Sequence, residues 1–178
     1  MQTTATLPLC PPLLAAAIRP LPLAPLGLAL SALSRRLAAR HPGMFRRLGG
    51  HAGKRFALDL TDMPLALLLA PGGGRVRITA HRRAPAAEVR ISGPLSAFLG
   101  MMHGAYDGDA LFFSRDLTVE GDTEAALALR NAIDDAELDL AAELQTLAGP
   151  LRAPLAAVLT AAERRTGVAL HRVEGAWA

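Results

Sequence analysis

Five histidines (His41, His51, His81, His103 and His171), one cysteine (Cys10) and a scatter of acids around residue 115 are the side chains of this 178-residue chain that catalysis or metal binding would recruit. The histidines fall in no HxH, HExxH or mixed His/Cys pattern, so zinc has no ligand set at workable spacing. Each is read as a solvated or capping residue. A lone cysteine excludes an intrachain disulfide and any cysteine-held cluster within the chain, and it fits a reducing compartment. Asp107, Asp109, Asp116, Glu120 and Asp122 would suit a calcium loop or an acid–base pair, but the EF-hand spacing and its closing Glu are missing, which leaves turn and cap duty. Gly49-Gly50 and Gly72-Gly73-Gly74 lack the Lys-Ser/Thr of a phosphate loop and do not make GxGxxG, so they read as turns. No nucleophile, base or metal set finds its partners, and the sequence offers no catalytic centre and no resident cofactor.

What remains is apolar. Phe98, Leu99, Met101, Met102, Leu111, Phe112 and Phe113 cluster within a short stretch, and Leu129 and Ile133 follow on one face of a later helix. Methionine is adaptable filler, suited to a surface that accepts a flexible apolar chain. A dry sheet roofed by such helices can hold a lipid-sized cavity; an ordinary filled core is the alternative that these residues alone leave open. Aromatic residues make up only 4% of the chain and Trp177 is the sole tryptophan, which argues against repeated base stacking or an aromatic cage. Nucleic acid is therefore not an expected partner.

The elements that would position these residues are legible in the periodicity. Phe56, Leu58 and Leu60 alternate with polar neighbours, as do Val76 and Ile78, Val89 and Ile91, and Leu117 and Val119, each run predicting a strand with one dry face. Residues 65–70 form a further apolar run, ended by Pro71-Gly72-Gly73-Gly74, a turn that predicts a hairpin to 75–81. Antiparallel strands with one dry face need helices laid across it, an α+β architecture. One helix begins at Pro94 and ends near Gly104; a second has Asp122 as its N-cap and Leu129, Ile133, Ala136 and Leu140 on one face; a third covers 150–165, followed by a loose tail from 168.

Ahead of the strands, Leu26, Leu30, Leu33 and Leu37 mark an amphipathic helix that carries Arg35, Arg36 and Arg40 elsewhere on its surface. Before it, residues 7–33 are almost uniformly apolar but hold Pro8, Pro11, Pro12, Pro20, Pro22 and Pro25, which break a spanning helix. With no basic residue ahead of that run, a secretory signal is not expected. Residues 1–90 carry thirteen basic residues against three acids, a net +10, and residues 91–178 carry six against thirteen, a net −7. Such a dipole directs the amino-terminal half toward anionic partners such as lipid headgroups. The chain divides into a Pro-rich apolar segment (1–25), a globular domain (26–140) and a carboxy-terminal helix and tail (141–178).

The segment from Asp109 to Glu124, with its LFFxRxLxxEGDTE pattern, followed by Asn131, Asp134 and Glu137, resembles the sterol-carrier-protein-2 family of lipid-binding domains. More narrowly, it is similar to the bacterial UbiT type, accessory factors of oxygen-independent, anaerobic ubiquinone biosynthesis. The resemblance implies an antiparallel five-stranded sheet with helices packed on one face around an apolar lipid tunnel, with no cofactor and no catalytic residue. It further implies that Leu111, Phe112 and Phe113 line or gate the tunnel, and that Arg115, Glu120, Gly121 and Asp122 fix a strand-to-helix corner, with Arg115 and Glu120 able to pair across it. The implied ligands are isoprenoid quinone-precursor lipids and the implied partners are iron–sulfur hydroxylases. Together with the basic amino-terminal region, this places the protein in the cytoplasm, peripheral at the inner face of the membrane. Two rivals stay open: a general phospholipid or fatty-acyl carrier, and an acyltransferase, for which no acyl-CoA motif is present.

Overall fold

Alternating apolar residues produce strands close to where the sequence predicts them: β1 (Phe56–Leu60), β2 (Leu65–Ala70), β3 (Arg77–His81), β4 (Val89–Gly93) and β5 (Thr118–Gly121). The computed structural model describes residues 7–72, 76–136, 140–147 and 152–168. The five strands form one sheet in the order β3-β2-β1-β4-β5. The β2–β3 hairpin is present, with Leu69 opposite Ile78.

The expectation of a fully antiparallel sheet is corrected. β1 and β4 run parallel, Phe56 facing Val89 and Leu58 facing Ile91, while the other three pairings are antiparallel. The reason lies in the connection 82–88. It leaves β3 at one edge, passes β2 and β1, and starts β4 at the opposite end of the strands. Three strand spacings sideways and one strand length lengthwise make a diagonal of roughly 20 Å, within the reach of seven extended residues. A strand entered from that end can only run parallel to β1.

Register stacks Phe56, Leu58 and Leu60 beside Leu69, Leu67 and Leu65 on one side and beside Val89, Ile91 and Gly93 on the other. Side chains alternate across a strand, so these residues share the dry face. The opposite face carries Asp59, Arg90 and Glu120 in ion pairs, although the small side chains of Ala57 and Ala66 there are also buried. Three helices roof the dry face: α4 (Leu95–Met102), α5 (Gly108–Phe113) and α6 (Thr123–Ala136). Pro94 stands at the N-cap of α4, and Gly104, at φ +71°, lies just past its end. The short helix α5 falls where the sequence suggested only an apolar cluster. Of the face expected to continue through Leu140, α6 is described as far as Ala136 and α7 (Leu140–Leu147) from Leu140, while residues 137–139 lie outside the described part. The last helix, α8 (Arg152–Thr166), matches its predicted span within two residues. Of the expected tail, Val168 is buried and residues 169–178 lie outside the described part.

At the amino terminus, α1 (Pro12–Ile18) and α2 (Leu23–Arg40) meet in an elbow bent by 101°, and α3 (Pro42–Arg47) leads through a single 3-10 turn to β1. α2 is the predicted amphipathic helix, with Leu33 and Leu37 buried. It begins three residues early and lies along β3, the sheet's open edge. An uncovered edge strand invites pairing with another chain, and a helix laid over it closes that route.

Candidate functional site

The side chains singled out for their apolar character converge. Phe98 and Met101 of α4, Leu111 of α5 and Leu129 of α6 are buried together against Phe56, Val89 and Ile91, with Phe112 and Ile133 half-buried at the rim of the same cluster. Leu99 is half-buried. Met102 points the other way and packs on Leu33 and Leu37 of α2. Phe113 stands apart, 89% exposed at the end of α5.

The strand-to-helix corner is built around Asp122. Its Oδ1 accepts from the Ala125 amide at 2.9 Å, capping α6 as predicted, and its other oxygen forms an ion pair with Lys54. Those two contacts, the Lys54 hydrogen bond first, hold the Asp122 carboxyl below its ordinary range. Gly121 sits at φ +87°, and a Cβ there would lie 2.3 Å from the Glu88 carbonyl oxygen, so only glycine fits. Glu120 does not pair with Arg115. It faces Arg90 directly across the β4–β5 ladder, with 3.9 Å between the charged atoms. Arg115 is exposed and carries a left-handed backbone, φ +65°, in the turn after α5. Nearby, Glu88 accepts from the Arg55 amide at 2.8 Å and from its guanidinium at 2.9 Å, and the guanidinium contact is the chief reason its carboxyl is pulled down to about 2. These contacts join strands and cap a helix. Among the described residues, no group of three or more His, Cys, Asp or Glu side chains converges as a metal site requires.

An open cleft of about 1060 Å³ lies elsewhere, between α2 and the β3 edge. Ser31 sets its geometry. The Ser31 hydroxyl donates to the Ile78 carbonyl at 2.6 Å and accepts from the Ile78 amide at 3.3 Å, supplying the edge strand with the partner a sixth strand would have given. One turn earlier, Gly27 lies against β3, where a Cβ would be in ordinary contact with the Ala80 nitrogen at 3.5 Å. One turn later comes Arg35, and as α2 advances from Gly27 to Ser31 its contacts retreat along β3 from Ala80 to Ile78, so Arg35 reaches the Arg77 end. Leu23, Ala24 and Leu28 line the other end. The leucine periodicity drew attention away from this face. The signal that marks it is the i, i+4, i+8 series Gly27, Ser31, Arg35 on the same helix.

The elbow is tied down by polar contacts. Asp62 accepts from the Cys10 amide at 2.8 Å and the Leu95 amide at 2.9 Å, bridging the amino-terminal segment to α4. Arg82 donates to the carbonyls of Ile18 at 3.1 Å and Pro64 at 3.3 Å, and also to that of Leu21. With its backbone so anchored, the elbow presents Leu9, Leu13, Leu14, Leu21, Leu26 and Leu28 to solvent, Leu13 at 85% and Leu28 at 72% exposure. Among the described residues no single helix is long and apolar enough to cross a membrane; α1 and α2 reach that length only as a bent pair.

Comparison with known proteins agrees with this architecture. Over 87 residues the chain is 30% identical to the ubiquinone biosynthesis accessory factor UbiT of Escherichia coli strain K12, covering 49% of this chain and 48% of the relative. The accessory factor of the same name from strain O157:H7 matches to the same extent. The chain thus spans about half the length of the curated relatives it matches. A solved structure titled UbiJ-SCP2 ubiquinone synthesis protein superposes with a TM-score of 0.55 at 20% identity, covering 66% of this chain and 96% of that one, which shows a shared fold. The model of the SCP-2 sterol transfer family matches residues 33–134, from the second half of α2 to the end region of α6, and the chain belongs to that family.

Proposed function

We propose that the protein is a non-catalytic accessory factor of oxygen-independent ubiquinone biosynthesis, which binds polyprenylated quinone precursors and presents them to iron–sulfur hydroxylase partners. The observation that carries this reading is the 87-residue similarity to UbiT, lying within a chain of the sterol-transfer family. The physical need is plain. Each CH₂ buried from water is worth about 0.8 kcal/mol, so a long isoprenoid tail holds its ring in the bilayer, and a carrier that shields part of the tail lowers the barrier to delivery. The apolar elbow, with Arg19 beside it, suits a cytoplasmic protein bound peripherally to anionic lipid at the inner face of the membrane, each membrane-proximal arginine adding on the order of 1 kcal/mol. The tunnel implied by the resemblance would open within the cluster of Phe98, Met101, Leu111 and Leu129.

Mass spectrometry of lipid extracted from protein purified gently from anaerobic cells tests the reading. Prenylated phenols or quinones are expected in the extract, and deletion of the gene is expected to lower anaerobic quinone levels. Phospholipid alone, with unchanged quinone levels, would replace this reading by that of a general phospholipid or acyl carrier.

A further inference from the structure

We propose that the outer edge of β5 is a docking site for one extended strand of another protein, laid antiparallel, with a lysine or arginine opposite Glu120 and an apolar residue opposite Val119. The proposal stands apart from the lipid reading, because it concerns the backbone of a sheet edge and a charge on the wet face.

The sheet has two edges, and the chain treats them differently. At β3 the Ser31 hydroxyl takes both backbone groups of Ile78. At β5 the bonding pattern of β4 decides which groups are left over. The Val89 amide donates to the Arg55 carbonyl at 3.2 Å and the Thr61 amide to the Gly93 carbonyl at 2.9 Å, so Val89, Ile91 and Gly93 turn their backbone groups toward β1. Alternation turns those of Glu88, Arg90 and Ser92 toward β5, and the Asp122 amide donates to the Glu88 carbonyl at 3.1 Å in keeping with it. Arg90 faces Glu120 and Ser92 faces Thr118, so Glu120 and Thr118 spend their backbone groups on β4, and the N–H and C=O of Val119 and Gly121 point outward. No described residue bonds to any of these four groups. Thr118, Glu120 and Gly121 are exposed. An antiparallel strand matches this spacing: its residues opposite Val119 and Gly121 would each exchange two hydrogen bonds, and the residue between them would face Glu120 in the closer, non-hydrogen-bonded pair.

Charge selects that middle residue. Across the wet face Asp59, Arg90 and Glu120 make a row of alternating sign. The Arg90 guanidinium donates to Asp59 and stays 3.9 Å from Glu120, whose side chain is 68% exposed. The row ends on an outward acid, and a cation on the next strand continues it. On the other face Val119 packs against the core cluster, so an apolar residue opposite it extends the dry side.

A second copy of this chain does not fit. Outward groups must meet outward groups, which leaves three two-fold registers. One sets the two Glu120 side chains directly against each other. Another sets Gly121 against Leu117, whose amide is taken by the Leu111 carbonyl at 3.0 Å and whose side chain is buried. The third sets Val119 against Thr123, where α6 has begun. The occupant is therefore a strand of different sequence.

The test titrates the full, isotope-labelled chain with the peptide Gly-Thr-Val-Arg-Val-Thr-Gly and with its counterpart carrying glutamate in place of arginine, followed in amide NMR spectra. The arginine peptide is expected to bind about fivefold more tightly than the glutamate peptide. It should move the Val119 and Gly121 amides and leave that of Ile78, at the other edge, in place. Glu120→Lys, at an exposed position, is expected to reverse the preference. Val119→Pro removes an outward N–H without touching a bond to β4, at a place where an edge strand accepts proline, and is expected to abolish binding of both peptides while circular dichroism stays unchanged. Should that variant unfold, the reversal in Glu120→Lys decides alone. Equal affinity for the two peptides in the wild type, shifts confined to other parts of the chain, undiminished binding in a folded Val119→Pro, or no binding of either peptide at millimolar concentration would overturn the proposal. Self-association that Glu120→Lys or Val119→Pro abolishes would overturn it in favour of a second copy.

Discussion

The molecule holds its helices to the sheet in two unlike ways. Under the dry face, α4, α5 and α6 meet the strands through Phe56, Val89, Phe98, Leu111 and Leu129, large side chains that interlock until almost no surface is left. Along the β3 edge, α2 meets the sheet through Gly27 and Ser31, a bare backbone and one hydroxyl, with a cleft left open beside them. The first seam derives its strength from buried area and the second from a few directed hydrogen bonds. Area-driven packing tolerates no space, because every lost contact is felt. A seam fixed by two hydrogen bonds at Ile78 can hold a helix in place without filling the space beside it. The fold therefore has one seam packed shut and one that leaves a cleft open beside it.

The largest expected effect tests the first seam. Phe56→Ala empties the centre of the buried cluster and should cost about 3–5 kcal/mol of stability, read as a fall in the urea midpoint. A loss under about 1 kcal/mol would mean that the cluster yields easily, which would favour a tunnel opening within it and erase the contrast between the two seams.

Ser31→Ala tests the second seam. It removes the partner of both backbone groups of Ile78, leaving a partly buried donor and acceptor unpaired at a cost of about 1–3 kcal/mol. Restoration of the urea midpoint by Ser31→Thr, which keeps the hydroxyl, would separate the hydrogen bond from any packing change.

The two seams also differed in how far the sequence disclosed them. Strand alternation located Phe56, Val89 and Ile91 and their common face, because burial on one side of a pleated strand writes itself as a period of two. Asp122 was legible as a cap because its oxygen need only reach an amide three residues on. The parallel β1–β4 pair was not legible, since alternation is the same in either direction and the deciding fact is where the connection 82–88 delivers the chain. The α2–β3 seam was hidden for a related reason. Ser31 is a small residue whose importance comes from a strand 47 positions away, whereas the leucines beside it advertise their own burial, and of those Leu26 is in fact exposed. The family resemblance implied that Arg115 and Glu120 could pair across the corner, but the β4–β5 register puts Arg90 opposite Glu120 instead.

A smaller effect separates the sheet from both seams. Glu88 titrates near 2, well below its ordinary 4.5, because Arg55 holds it ionised across the β1–β4 junction, and Asp122 is depressed in the same direction by Lys54. A carboxylate whose folded value is lowered contributes stability that is complete above its unfolded value and is lost as pH falls toward the folded one. Urea midpoints should therefore hold steady down to about pH 4.5 and decline from there toward about pH 2. Glu88→Gln should shallow that decline. The effect is modest because the pair is exposed to solvent.

The smallest effect on stability belongs to the elbow, and there the absence of an effect is itself informative. Leu13 and Leu28 are 85% and 72% exposed, so replacing both by serine removes little packing and should move the urea midpoint hardly at all. The same change takes away apolar surface that would enter a bilayer, each buried leucine being worth roughly 1.5–3 kcal/mol. Co-sedimentation with phosphatidylglycerol vesicles should fall sharply in Leu13→Ser with Leu28→Ser. Loss of stability without loss of vesicle binding would instead make these leucines structural, with Asp62 and Arg82 anchoring an element whose apolar side serves the fold rather than a membrane.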